Sequence, residues 1–177
     1  FFARTVSASV APARLYLGIA AQGRNPKVVM RRAWLALMGA AERAYRDAGG
    51  HKKKENPADP YMTVLGYFNS LRELGGARRI LEEEVQNTLK GYGGRMRIGE
   101  QHGLFNDRKT FSEVVELTSR VSTDKVAEAR RRLEYGFDEA KRVDCAIATN
   151  MISVGLDIPR LGLMVVFGQP KSHAEYI

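Results

Sequence analysis

Thr149, Asn150, Ser153, Gly155 and Asp157 are grouped in one short polar stretch between two apolar runs, Val143 to Ala148 and Leu161 to Phe167. Hydroxyl, amide and backbone N–H groups of this kind hold phosphate oxygens in place without reading base sequence. Gly155 allows positive φ or a close approach of backbone to ligand, and Asp157 supplies a fixed carboxylate that can accept from sugar hydroxyls or orient a cation. The same residues also make ordinary turns, which Asp and Asn cap, Gly bends and Pro159 ends, so composition alone leaves both readings open. Two other places repeat the pattern: Asn69-Ser70 follows the run Tyr61 to Phe68, and Ser119-Arg120 follows Glu113 to Thr118. If the three runs are parallel strands, Asn69, Ser70, Ser119, Arg120, Thr149 and Asn150 line one edge of a sheet. Small hydroxyls and amides with one arginine suit a nucleic-acid backbone better than base edges.

The elements that must position these groups follow from periodicity. Val143 to Ala148 and Leu161 to Phe167 are apolar at successive positions, as strands covered on both faces require. In such sheets ligands gather outside the carboxyl ends of the strands. Tyr61 to Phe68 reads as the first strand, and Ser70 with Glu73 forms a capping box that opens a helix carrying Leu71, Leu74, Ala77, Ile80, Leu81, Val85 and Leu89 inward. That helix N-terminus can attract a phosphate, a property every capped helix shares. Gly91 to Lys109 is glycine-rich and basic and reads as an irregular loop. Glu113 to Thr118 is the next strand, and Ser122 to Glu134 an amphipathic helix burying Val126, Ala129 and Leu133. The alternation of strand, loop and helix predicts right-handed crossovers and an α/β fold with a mostly parallel sheet.

Ahead of this lies a connector, residues 1–60, distinct from a main domain at 61–177. Phe1 to Pro12 reads as an arm, and Ala13 to Ala21 as a strand with Leu15, Leu17 and Ile19 on one face. A long helix then starts at the Asn25 cap and Pro26 and closes at Gly49-Gly50. Its apolar stripe is Val28, Val29, Trp34, Leu35, Leu37, Met38, Ala41 and Tyr45. Trp34 is expected as a core anchor, not a base-stacking platform. His51 to Pro60 is a charged, proline-broken linker.

Composition narrows the function classes. The 177 residues, 44% hydrophobic, suffice for one ordinary domain with an appended segment. Lys+Arg 28 against Asp+Glu 20 gives a net charge of +8, which points to a polyanionic partner or else to a solvated basic face. The single cysteine, Cys145, excludes a disulfide within the chain and fits a reducing compartment. His51, His102 and His173 are too scattered for a metal cluster. No apolar run can span a bilayer, and the opening Phe1-Phe2-Ala3-Arg4-Thr5 is no signal peptide, so a cytoplasmic protein without a membrane partner is expected.

The string A-T-N-M-I-S-V-G-L-D-I-P, Ala148 to Pro159, closely resembles motif V of superfamily 2 helicases, where an A-T-x-x-x-x-x-G-x-D-I-P pattern closes a strand of the second RecA-like domain. Tyr67-Phe68-Asn69-Ser70-Leu71-Arg72-Glu73-Leu74-Gly75 looks like motif IV, and Glu116-Leu117-Thr118-Ser119-Arg120 like the nucleic-acid-contacting motif between IV and V. Leu161 to Ile177 looks like the run-up to motif VI. Together they are most like the large helicases of DISARM-type anti-phage defence systems and relatives with a C-terminal zinc-binding region. The resemblance covers Tyr61 to Ile177 well and Leu15 to Ala48 more loosely. It implies that Asn69, Ser70, Ser119, Arg120, Thr149 and Asn150 track a DNA strand, single or in a duplex with an overhang. Gly155 and Asp157 then belong to the nucleotide side, where a cleft between two RecA-like domains closes over ATP and Mg2+ held mainly by the first domain. Companion defence subunits are implied as partners. A DNA-repair helicase of the same superfamily, or a non-catalytic nucleic-acid-binding scaffold that keeps the fold, are the alternatives. No G-x-x-x-x-G-K-[ST] phosphate loop and no Asp-Glu pair in strand context occurs. Ser172 and Glu175 form a second capping box, and motif VI with its arginine finger would be expected after Ile177. The chain by itself is therefore expected to be inactive in ATP hydrolysis.

Overall fold

In a computed structural model, which describes residues 15–96, 98–149 and 158–169, four parallel strands form one sheet in the order β2-β3-β1-β4. They are β1 (Val64–Phe68), β2 (Val115–Leu117), β3 (Cys145–Thr149) and β4 (Met164–Phe167). Each is shorter than the apolar run that announced it. Tyr61, for instance, belongs to a 3-10 turn at Asp59–Tyr61 and is half exposed.

Two-sided cover explains the unbroken apolar pattern of the central strands. Val64 and Phe68 of β1, with Cys145 and Ile147 of β3, pack with Met30, Trp34, Leu74, Leu81 and Leu89 on one face. Ala146 and Ala148 of β3 pack with Val115, Leu117, Ala129 and Leu133 on the other. The register pairs Val64 with Cys145 and Phe68 with Thr149, so the same parity faces the same layer across both strands. This is the expected α/β, RecA-like parallel sheet flanked by helices.

The long helix α1 (Pro26–Asp47) forms as its termini dictate. The Asn25 side chain accepts from the Lys27 N–H at 2.9 Å, Pro26 occupies the first turn, and Gly49 turns the chain out at φ 108°. Trp34, fully buried, lies 6.0 Å from Phe68 ring to ring. Gly66 makes the approach possible, because a Cβ there would sit 2.7 Å from Trp34 Cζ2. Val28, placed on the apolar stripe by periodicity, is instead exposed near the open first turn.

α2 (Leu71–Arg79) opens from β1 and runs into a π-helical stretch, Ile80–Val85, and a last turn, α3 (Gln86–Leu89). Leu74, Ala77, Leu81, Val85 and Leu89 are buried as expected, and Leu71, at the mouth of the helix, is 37% exposed. α4 (Thr123–Leu133) buries Ala129 and Leu133 beneath β2 and β3. The expected strand near Ala13 does not form over Leu15 to Ala21: the segment has no regular structure and leaves Leu15, Leu17 and Ile19 exposed. Alternation gives a strand only where a sheet edge pairs with it, and the outer strands β2 and β4 do not pair with this segment. Cys145 is a free, fully buried thiol, its pKa pushed up by burial and by neighbouring Asp144. Among the described residues no helix is long and apolar enough to cross a membrane.

Candidate nucleic-acid interface

Because the strands are parallel, their carboxyl ends share one edge, and the residues after β1 and β2 and at the end of β3 meet there. Thr149, the last residue of β3, is 5% exposed and in register with Phe68. Asn69 is half-buried; its Nδ2 donates to the carbonyls of Phe167 at 3.3 Å and Gln169 at 3.0 Å, tying the ends of β1 and β4 together. Its amide protons are thus committed within the fold. Ser70 is exposed and caps α2: its Oγ accepts from the Glu73 N–H at 3.2 Å and donates to the Glu73 carboxylate at 3.2 Å. Asn150, Ser153, Gly155 and Asp157 lie outside the described residues.

The end of β2 carries a compact charged group. The Thr118 hydroxyl donates to Glu116 Oε1 at 2.5 Å and accepts from the Arg120 N–H at 3.3 Å, which shapes the turn at the exposed Ser119. Arg120 donates to the same Oε1 from Nε at 3.2 Å and Nη2 at 2.9 Å. Arg78, from α2, donates through Nη1 to Glu116 Oε2 at 3.3 Å. Burial pushes the Glu116 carboxyl up, but the bonds from Thr118 and Arg120 and the charges of both arginines outweigh it and hold the group below the usual glutamate range. Sequence reading placed Glu116 in a motif without giving it a role and passed over Arg78. The available signal was a carboxylate inside an apolar strand, which must find donors once the strand is covered, and an arginine four residues on.

The opposite edge, where the strands begin, holds the buried charges. Arg108 is fully buried, its Nη2 donating to the Met62 carbonyl at 2.7 Å and to the Asp144 carboxylate. Asp144 also accepts from the Ser112 N–H at 2.6 Å, and the Arg108 guanidinium lies 5.0 Å from the Phe137 ring centre. Arg160 bridges Asp59 Oδ2 at 2.6 Å and Thr63 Oγ1 at 2.9 Å, while Asp59 Oδ1 takes the Phe137 N–H at 2.6 Å. Tyr45 donates to Asp138, which also meets His51 Nδ1. The Tyr45 phenol is pushed up, first by burial and then by Asp138, whereas the Tyr45 bond holds the Asp138 carboxyl below its usual range against the opposing effect of burial. Gly91 to Lys109, expected as an irregular basic loop, has only the 3-10 turn Tyr92–Gly94 as regular structure among its described residues, and its Arg108 side chain turns into the core. Among the described residues no group of three or more His, Cys, Asp or Glu side chains is placed to hold a metal ion.

No protein-family model matches the chain. Along its whole length, 177 residues, it is 38% identical to the DISARM protein DrmA of Bacillus paralicheniformis, and it spans 15% of that protein's length. The chain is thus related in sequence to one stretch of a DISARM protein.

Proposed function

We propose that this chain is the second RecA-like domain, residues 61–177 with the connector 1–60 before it, of an ATP-dependent superfamily 2 DNA helicase or translocase that acts in DISARM-type anti-phage defence. The observation that carries the reading is the strand order. β2, β3 and β1 are neighbours, so Ser119-Arg120, Thr149 and Asn69-Ser70 fall along one edge of the sheet, in a chain whose net charge as a whole is +8. The likeness to a DISARM protein favours defence over DNA repair.

In this reading Arg120, Ser119, Ser70 and Thr149, with Asn150, hold the sugar-phosphate backbone of one strand. Asn69, its amide protons used between β1 and β4, acts by shaping the edge. Gly155 and Asp157 sense the nucleotide, and ATP with Mg2+ is held mainly by a first RecA-like domain supplied elsewhere in the protein. Domain closure on ATP and opening after hydrolysis then advance the strand. Contacts of this kind make binding strongly salt-dependent and nearly indifferent to base sequence. Companion defence subunits are the expected protein partners.

ATP turnover by the full-length protein, with and without single-stranded DNA, tests the reading. DNA should stimulate turnover; Thr149→Ala should weaken strand binding, and Asp157→Ala should cut stimulated turnover while leaving strand binding largely intact. Tight DNA binding with no turnover in the intact protein would replace the motor with a binding scaffold.

A further inference from the structure

We infer that Arg78 and Arg120 form a two-arginine phosphate clamp at the end of β2, built on Glu116; the inference rests on the strand-binding reading above and adds Arg78 to it. Each arginine takes a different oxygen of one carboxylate, Arg120 on Oε1 and Arg78 on Oε2, so two guanidinium groups from distant parts of the chain are held one carboxylate apart. The carboxylate is deep and the arginines are not: side-chain exposure is 10% for Glu116, 44% for Arg78 and 51% for Arg120. Arg120 is gripped through Nε and Nη2, and Arg78 through Nη1 with Nε on Glu82 at 2.9 Å. That leaves Nη1 of Arg120 and Nη2 of Arg78 bonded to no other described residue.

This arrangement suits phosphate oxygens. An arginine free in water loses rotamer entropy when it binds, whereas these two are already fixed by bonds along their inner edges. Glu82 and Glu116 balance the two positive charges, so the cluster offers fixed donors more than a diffuse field. Arg79, next along α2 and 77% exposed, is paired among the described residues with Glu83 on the helix surface and does not touch Glu116. It is the natural control.

The test is binding of a labelled single-stranded oligonucleotide to the full-length protein across a salt series, without nucleotide. Arg78→Ala and Arg120→Ala should each lower affinity about tenfold and each reduce the slope of log affinity against log salt by about 0.7. Arg79→Ala should change neither. Arg78→Lys, which keeps the charge and loses the fork, should fall between wild type and Arg78→Ala. Loss with Arg120→Ala but none with Arg78→Ala overturns the clamp and leaves the strand-binding edge standing. Equal losses with Arg78→Ala and Arg79→Ala also overturn it, in favour of a general basic field. A raised ATP requirement for turnover with strand affinity unchanged would move both arginines to the nucleotide. If neither Arg120→Ala nor Thr149→Ala affects strand binding, the underlying reading itself fails.

Discussion

The two ends of the β-sheet treat polar groups in opposite ways. Where the strands begin, Arg108, Asp144, Asp59, Arg160 and Thr63 are drawn in, and they connect segments far apart in the chain. Where the strands finish, Ser70, Ser119 and Arg120 are exposed, and the bonds of Ser70 and Arg120 are to residues close by in sequence, although Asn69 and Arg78 reach further. Long-range bonds between buried charges hold the fold together. Bonds among exposed groups at an open edge shape a surface and leave donors over. A charged residue's role is therefore set less by its type or by its partner's distance along the chain than by burial: Arg108 and Asp144 are fully enclosed, whereas Arg78 and Arg120 stay half exposed on Glu116.

The strongest way to break this contrast is Arg108→Ala. It strips the fully buried Asp144 of its hydrogen-bonded cation, leaving only Arg142 at 3.8 Å beside it, and should destabilise the protein by about 3 kcal/mol, read as a lowered midpoint in denaturant unfolding. Replacing Arg108 and Asp144 together by Met and Leu should recover much of that loss, since no lone charge then remains. Arg120→Ala is the counterpart at the other end. It should shift the unfolding midpoint little, by about 0.5 kcal/mol or less, yet cost about 1–2 kcal/mol in strand affinity. A large stability loss from Arg120→Ala would erase the distinction between the two ends.

Acid sharpens the comparison with a smaller effect. Glu116 and Asp138 both have folded-state pKa values below their ordinary values, 4.5 and 3.8. Their contribution to stability is complete above those values and is lost as pH falls through the lower, folded-state ones. Thermal melting should be flat in this respect near neutrality and decline once the pH drops below the ordinary carboxylate range. Glu116→Gln should remove part of that decline.

Much of this architecture was legible from the sequence. All four strands and their parallel pairing were legible, and Asn25-Pro26 and Ser70-Glu73 marked helix starts that formed as expected; cover on both faces holds for β3 but not for β4, which lies at the sheet edge with Met164 48% exposed. Asn69-Ser70, Ser119-Arg120 and Thr149 fell on one edge because parallel topology leaves no other place for them. Arg108 was illegible for a physical reason: it stands in a glycine-rich basic loop, and its partner Asp144 lies 36 residues on. Nothing local distinguishes an arginine that will meet a buried carboxylate from one that stays in water. Leu15, Leu17 and Ile19 show the converse, a local pattern suited to a strand with no sheet edge paired to it. Glu116 fell between the two, its bond to Arg120 local and its bond to Arg78 made only when α2 packs on the sheet.

Cys145 sits at the start of β3, in the middle of the sheet, with no solvent exposure and a thiol pushed away from its reactive, ionised form. While the sheet is intact, alkylating reagents and oxidants should find nothing to attack. The sole sulfhydryl of the chain is in effect a built-in clock for opening of the sheet centre: its labelling rate counts how often β3 comes free of its neighbours. Wild type should label slowly, Arg120→Ala equally slowly, and Arg108→Ala fast.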